Sequence, residues 1–272
     1  PYMPTEPYDR WGGETLRRIH DGLDDPRWDF YSGREPWWKR QALTGLYDGC
    51  IAQIDAAIET IVETLSDREQ LDDTLVVVTA DHGEGFGELS RVRPGFRIVG
   101  HAGGIHELLV HVPLVVRFPG QSEGGRVSEA ATLTRFPSVV ERVLDGGCER
   151  DGFVPDGPVV VTSDLDRQFE TPLKNYDAYR EELDTSLFSG TARAVYRNRD
   201  GAGVRKFVQW GDAEAVVDIG DAQNAMARAD LGDAAAEVAW AFDALGSRAV
   251  RESTGGDVDD DTRRRLEDLG YM

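Results

Sequence analysis

The sequence predicts an α/β fold: a mixed sheet flanked by helices, followed by a smaller C-terminal α+β subdomain. Three observations carry that prediction. Apolar residues recur at helical spacing over 40–66, a β-branched run follows at 74–80, and a second apolar run spans 112–118. A long helix, a turn and a buried strand in succession give the α/β alternation. After Gly146 the texture shifts to short alternating runs, which places a boundary near residue 150 and divides the chain into 1–150 and 151–272.

Residues 1–38 are rich in Pro, Trp, Tyr and Gly and read as a loop-rich entry with one short helix near Glu14–Leu23, with Trp37 and Trp38 as packing residues. Over 40–66, Leu46, Cys50, Ile51, Ile54, Ile58, Ile61, Val62 and Leu65 fall at three- and four-residue intervals, one face of a helix. Thr74–Ala80 carries no polar interruption, which suits a strand buried on both faces in the parallel part of a sheet. Residues 83–104 are punctuated by glycine and read as a loop. Val112–Phe118 is a second strand, with Pro113 near its start, where proline is tolerated. Phe136–Leu144 reads as a short helix and Val159–Thr162 as a short strand. Thr191–Asn198 and Val204–Trp210 flank Asp200-Gly201-Ala202-Gly203 as a hairpin. Ala215–Ile219 adds a strand, Ala234–Leu245 a helix, 255–261 an acidic linker and Thr262–Leu269 a last short helix.

The chain has 272 residues, with 50 acidic against 30 basic side chains and a net charge of −20. Nucleic-acid binding is excluded on that balance, because phosphate neutralisation needs clustered Lys and Arg. No apolar run approaches the roughly 20 residues of a membrane helix. Only Lys39, Lys174 and Lys206 are lysines, and the acid-rich, lysine-poor composition resembles halophilic, archaeal-like proteins. Dense carboxylates keep a protein soluble when salt screens their repulsion, so unfolding in low salt is expected. Cys50 and Cys148 make no disulfide framework, and Cys50 reads as a small buried hydrophobe on the long helix.

The chemistry concentrates in residues 79–88, Thr-Ala-Asp-His-Gly-Glu-Gly-Phe-Gly-Glu. Asp81 and His82 stand just past a strand, where open α/β sheets place ligands. A carboxylate and an imidazole are both ligands for a divalent cation, and Gly83, Gly85 and Gly87 allow close backbone approach. A bare Asp-His-Gly also fits a polar turn. Four of the five histidines lie in 82–111. His101 sits in a Gly-His-Ala-Gly-Gly loop from which its ring can reach a bound anion. His106 and His111 are five apart, a poor spacing for one metal on a helix face, and read as packing or loop-supporting residues.

Residues 75–88, LVVVTADHGEGFGE, resemble the metal-binding motif of the sulfatase family within the alkaline-phosphatase superfamily. Gly100-His101, Glu107 and the run VPLVVRFPG at 112–120 are similar to the family's next segment. Tyr47 and Asp55 lie on a helix like the one preceding that motif. Pro1-Tyr2 looks like the tail of a His-x-Pro-Tyr loop, Phe136–Val140 like the helix after the core, and Leu266–Tyr271 like a common family ending.

The resemblance implies an alkaline-phosphatase-like sheet, present in part, and a metal-dependent hydrolase of sulfate esters, small-molecule or glycan. It implies Asp81 and His82 as metal ligands and His101 as the residue that holds the anion and assists the leaving group. Glu84 would support them from behind, with Gly83 and His106 shaping the loop. The cation expected is Ca²⁺ or Mg²⁺, with Mn²⁺ or Zn²⁺ admitted by the imidazole. A phosphodiesterase, phosphonate hydrolase or phosphoryl transferase on the same scaffold is the alternative, and a non-catalytic remnant a third reading. The family's Cys/Ser-x-Pro-x-Arg nucleophile motif and its early pair of Asp ligands have no match among the 272 residues. The chain is therefore expected to be the C-terminal part of a longer hydrolase, inactive as an isolated fragment and prone to associate through an exposed sheet edge. A cytoplasmic location is expected, with an extracellular one left open.

Overall fold

The computed structural model describes residues 2–101, 103–169, 184–199, 203–219, 225–227 and 233–245. The expected hairpin turn at 200–202, the acidic linker, the last helix, the 266–271 ending and Lys174 lie outside them.

Helices α1 (Gly13–Asp21) and α2 (Pro26–Tyr31) open the chain. Asp25 caps α2 by accepting from the backbone N–H groups of Arg27 and Trp28, and Pro26 stands at the first helical turn, where its missing N–H costs nothing. Helix α3 (Arg40–Asp67) matches the periodic stretch. Its burial is uneven: Ala42, Leu43, Leu46 and Gly49 are buried, whereas Ile51, Ile54 and Ile61 are exposed and Cys50 only half-buried. The apolar stripe expected to be core is thus fully buried only in its first half. Trp37 stacks on Phe30, but Trp38 is 60% exposed, correcting its expected packing role: in the short 3₁₀ turn the two neighbours point apart.

Strand β1 (Val76–Thr79) pairs antiparallel with β4 (Leu114–Arg117), Val78 opposite Val115. The parallel, doubly buried setting expected for β1 is not found among the described residues. One face of this ribbon packs through Leu75, Leu114 and Val116 on Phe118, Val139 and Phe153, while Val115 faces out. The stretch read as a loop over 83–104 contains a hairpin, β2 (Gly85–Leu89) and β3 (Arg97–Gly100), with a bulge between Phe86 and Glu88. Glycine hid the strand because Gly85 is there for contact: a Cβ would lie 2.7 Å from the Ile98 carbonyl oxygen. Tyr31 ties α2 to this hairpin, donating to the Arg97 carbonyl at 2.6 Å. Helix α4 (Glu107–Val110) and helix α5 (Phe136–Leu144) complete this half.

The C-terminal half is a five-stranded antiparallel sheet in the order β5 (Val159–Asp164), β6 (Thr191–Arg199), β7 (Gly203–Trp210), β8 (Ala213–Ile219), β9 (Ala225–Ala227). Helix α6 (Ala234–Leu245) covers one face through Val238 and Ala241 against Val195. The opposite face meets the first half in one core: Trp28, Phe96, Ile98, Ile105 and Leu109 pack with Ala194, Val208 and Trp210. The largest apolar cluster therefore draws residues from both sides of position 150. No helix among the described residues is long and apolar enough to cross a membrane.

Candidate functional site

Strand β1 ends at Thr79, and Asp81 and His82 follow at its C-terminal end. Asp81 Oδ1 accepts from the His82 backbone N–H at 2.9 Å, which fixes the turn. The His82 ring places Nδ1 2.9 Å from the Gly83 carbonyl oxygen. A carbonyl only accepts, so Nδ1 carries a proton, and Nε2 is the ring nitrogen left to ligate a cation. Asp81 Oδ2 lies 3.6 Å from that Nε2. One cation can bridge such a separation, since its bonds to oxygen and nitrogen are about 2.0–2.4 Å. The two donors fit a divalent cation but make only part of its shell; among the described residues no three His, Cys, Asp or Glu side chains converge on a metal position.

His101 is brought to the same place by the end of β3. Its ring stacks on His82 with centroids 4.3 Å apart and planes inclined by 26°. Its Nδ1 faces Glu84 Oε2 at 3.6 Å. The Glu84 side chain is only 9% exposed, and its Oε1 is buried with no hydrogen-bond partner among the described residues. Tyr2 meets this carboxylate, and burial followed by the Glu84 charge pushes the Tyr2 phenol far above its usual range. Tyr47, edge-on to Tyr2, is raised by the same two causes. Arg27, whose Nε is also buried and unpartnered, approaches from α2: Arg27 and Glu84 both come within 3.5 Å of the point where a Gly100 side chain would begin. Gly100 holds φ at +72°, so glycine there serves both the turn and the space.

Gly83 is the hinge between this cluster and α4. Its N–H donates to the Leu109 carbonyl at 2.8 Å. A Cβ at this position would stand 1.9 Å from the Leu108 carbonyl oxygen. The obstacle is backbone, which cannot rotate away. Gly83→Ala is expected to lower stability by about 1–3 kcal/mol, the usual cost of overpacking, and to separate the His82 and His101 rings. Urea unfolding and a ring-to-ring NOE measure the two effects; an alanine variant as stable as the parent would refute the close-approach reading.

His106 takes a different position. It stands at the N-terminal boundary of α4, and its ring lies between Phe96 and Trp210, at 6.1 Å from each. Burial, with the Lys206 charge, pulls its pKa down to about 4. His111, at the other end of α4, faces Glu107 Oε2 at 3.5 Å and is raised by that contact. A cleft of about 1700 Å³ runs from Asp81, His82 and His101 past His111 toward Arg126 and Arg150.

Sequence reasoning gave no role to Arg27, Tyr196 or Lys206 and quoted Glu107 only as part of the family resemblance. No pattern marks Arg27. Lys206 did leave a signal: it falls in the apolar phase of an alternating strand, with Val204, Val208 and Trp210.

The sulfatase family profile matches residues 8–141, which contain β1, the Asp81–His82 turn and the His101 loop. Residues 8–141 match the sulfatase family, within the alkaline-phosphatase superfamily. An N-acetylglucosamine-6-O-sulfatase of Bacteroides thetaiotaomicron is 25% identical over 131 residues, which cover 48% of this chain and 22% of that protein. Among solved structures, phosphonate monoester hydrolases of Silicibacter pomeroyi and Agrobacterium radiobacter align at 21% and 23% identity, each with a TM-score of 0.48. These alignments cover 76% and 78% of this chain but 40% and 42% of theirs. The chain thus spans 22% of the length of the curated sulfatase and 40% and 42% of the two structures.

Proposed function

We propose that this chain supplies the later half of a metal-dependent sulfatase site that hydrolyses sulfate esters of small molecules or glycans. The observation that carries the reading is the Asp81–His82 pair, 3.6 Å apart with the imidazole Nε2 left to ligate, and His101 stacked on it. The match of residues 8–141 to the sulfatase family supports it.

Asp81 and His82 would hold a divalent cation, Ca²⁺ or Mg²⁺ by the hardness of the carboxylate, with Mn²⁺ or Zn²⁺ compatible with the imidazole. When bound, such a cation would supply Lewis acidity at the ester oxygen and lower the cost of charge on the nucleophile. His101 hands a proton to the departing alkoxide. Glu84, nearly sealed from water, faces Nδ1 of the His101 ring and orients it. On this reading the nucleophile and the remaining ligands would be supplied by other residues than these 272, among which the family's nucleophile motif has no match.

The test is hydrolysis of aryl sulfate, aryl phosphate and aryl phosphonate esters by the protein as isolated from its native source, in high-salt buffer. Sulfate turnover that is abolished by EDTA and restored by one divalent cation, and that is missing in Asp81→Ala and His82→Ala, is the expected result. Preference for a phosphorus ester would move the substrate class on the same site. Turnover indifferent to EDTA would remove the metal from the reading, and no turnover of any ester would sink it in favour of a non-catalytic domain.

A further inference from the structure

Lys206 occupies a place that alternation along β7 reserves for an apolar side chain, between Val204 and Val208. Its side chain is 4% exposed, and an ammonium is costly to bury unless its hydrogen bonds are met. They are met across the molecule. Nζ donates to Glu107 Oε1 at 2.7 Å and to the Ile105 carbonyl, and lies 4.9 Å from the centre of the Tyr196 ring. Tyr196, directly opposite Lys206 on β6, donates its hydroxyl to the same Glu107 oxygen at 2.7 Å. The His111 imidazole meets the other oxygen.

The partners are informative. Ile105 ends the glycine loop that begins at His101. Glu107 opens α4, whose Leu109 carbonyl holds the Gly83 N–H directly after Asp81 and His82. One cation therefore grips the end of the His101 loop and the start of the helix that seats the His82 turn. An apolar side chain would fill the same volume at lower desolvation cost; what the ion adds is direction.

We propose that Lys206 is a positioning residue: reaching from the C-terminal sheet, it fixes where His82 and His101 stand relative to one another. Its catalytic consequence rests on the functional reading above; the geometric claim does not. Residues 105–107 join the loop to α4, so releasing that junction removes a reference the two rings share beyond the Gly85–Gly100 strand pairing. This also gives the C-terminal sheet a role in the chemistry beyond covering the core.

The experiment uses the protein labelled with ¹⁵N and ¹³C at histidine and follows NOE cross-peaks between the His82 and His101 rings, which a 4.3 Å separation makes strong. Lys206→Met is compared with the double variant Lys206→Met/Glu107→Gln, which removes the anion together with the cation and so preserves folding if the single variant does not. Val208→Ala, on the same strand face without a polar contact to 105 or 107, is the control for general loosening. Loss of the cross-peaks in the lysine variants, with retention in Val208→Ala at a comparable fall in Tm, is the expected result. Unchanged cross-peaks in the double variant, or equal loss in the control, would overturn the proposal. No ester is hydrolysed in this measurement, so an inactive protein would refute the sulfatase reading and leave this result standing.

Discussion

Replacing His101 by alanine is expected to slow cleavage of an alkyl sulfate by about 10²–10⁴, the range a positioned proton donor supplies. The expected loss for a 4-nitrophenyl sulfate is far smaller. The difference follows from the leaving group: an alkoxide needs a proton as the bond breaks, whereas a nitrophenolate departs as the anion. The geometry that motivates this is the His101 ring held on one side by His82 and faced on Nδ1 by Glu84. Glu84→Gln keeps the volume and removes the charge, and is expected to reproduce part of the same leaving-group dependence. An equal loss on both esters would assign His101 to binding the anion rather than to proton transfer. The comparison is made in the protein that carries its nucleophile, with kcat read at saturating substrate.

Acidification is expected to unfold the protein in two overlapping steps centred on α4. His106 has its pKa pulled from 6.5 to about 4, chiefly by burial. The unfolded chain therefore takes up the proton first, and stability falls as pH drops from 6.5 toward 4, by about 3 kcal/mol at 1.36 kcal/mol per unit. Glu107 follows. Burial opposes its ionisation, but the contact with His111 and the charge and hydrogen bond of Lys206, with the Tyr196 hydroxyl, hold it at about 2 against 4.5. Its contribution is complete above 4.5 and is lost as pH falls through about 2, again about 3 kcal/mol. His111 works the other way: its pKa is raised by Glu107, so its contribution is complete below 6.5 and lost as pH rises through its folded value. Urea midpoints from pH 7 to pH 3 measure the sum. A wild type flat between pH 6.5 and 4, or a His106→Gln variant with an unchanged pH slope, would contradict the assignment.

Patterns of one element at a time were legible in the sequence. The period of α3, the β-branched run of β1 and the bounds of α5 followed from side-chain spacing. What failed was read from composition instead. Glycines at 83–104 suggested a loop, but Gly85 is a strand residue whose missing side chain lets Ile98 approach, and the bulge beside Gly87 needs a positive φ of 97°. The apolar stripe of α3 predicted burial along its whole length, yet packing is a property of the neighbour: full burial stops after Gly49, and Ile51, Ile54 and Ile61 are exposed. At the site, adjacency along the chain was enough to propose Asp81 and His82. Arg27 and Tyr2 reach Glu84 from distant positions, and nothing local announces such convergence. Lys206 could have been found: a lysine in the apolar phase of a strand asks for a buried anion, and the structure supplies Glu107.

The contact between Gly83 and α4 has a consequence for how such sequences diverge. It is made by main-chain atoms alone, the Gly83 N–H on the Leu109 carbonyl with the Leu108 carbonyl lying where a Cβ would stand. Side chains at 108 and 109 can therefore be exchanged, within what the core accepts, without disturbing the turn that presents Asp81 and His82. The freedom is one-sided. The side chains at 108 and 109 can vary within what the core accepts, while Gly83, whose missing Cβ leaves room for the Leu108 carbonyl, admits a single amino acid.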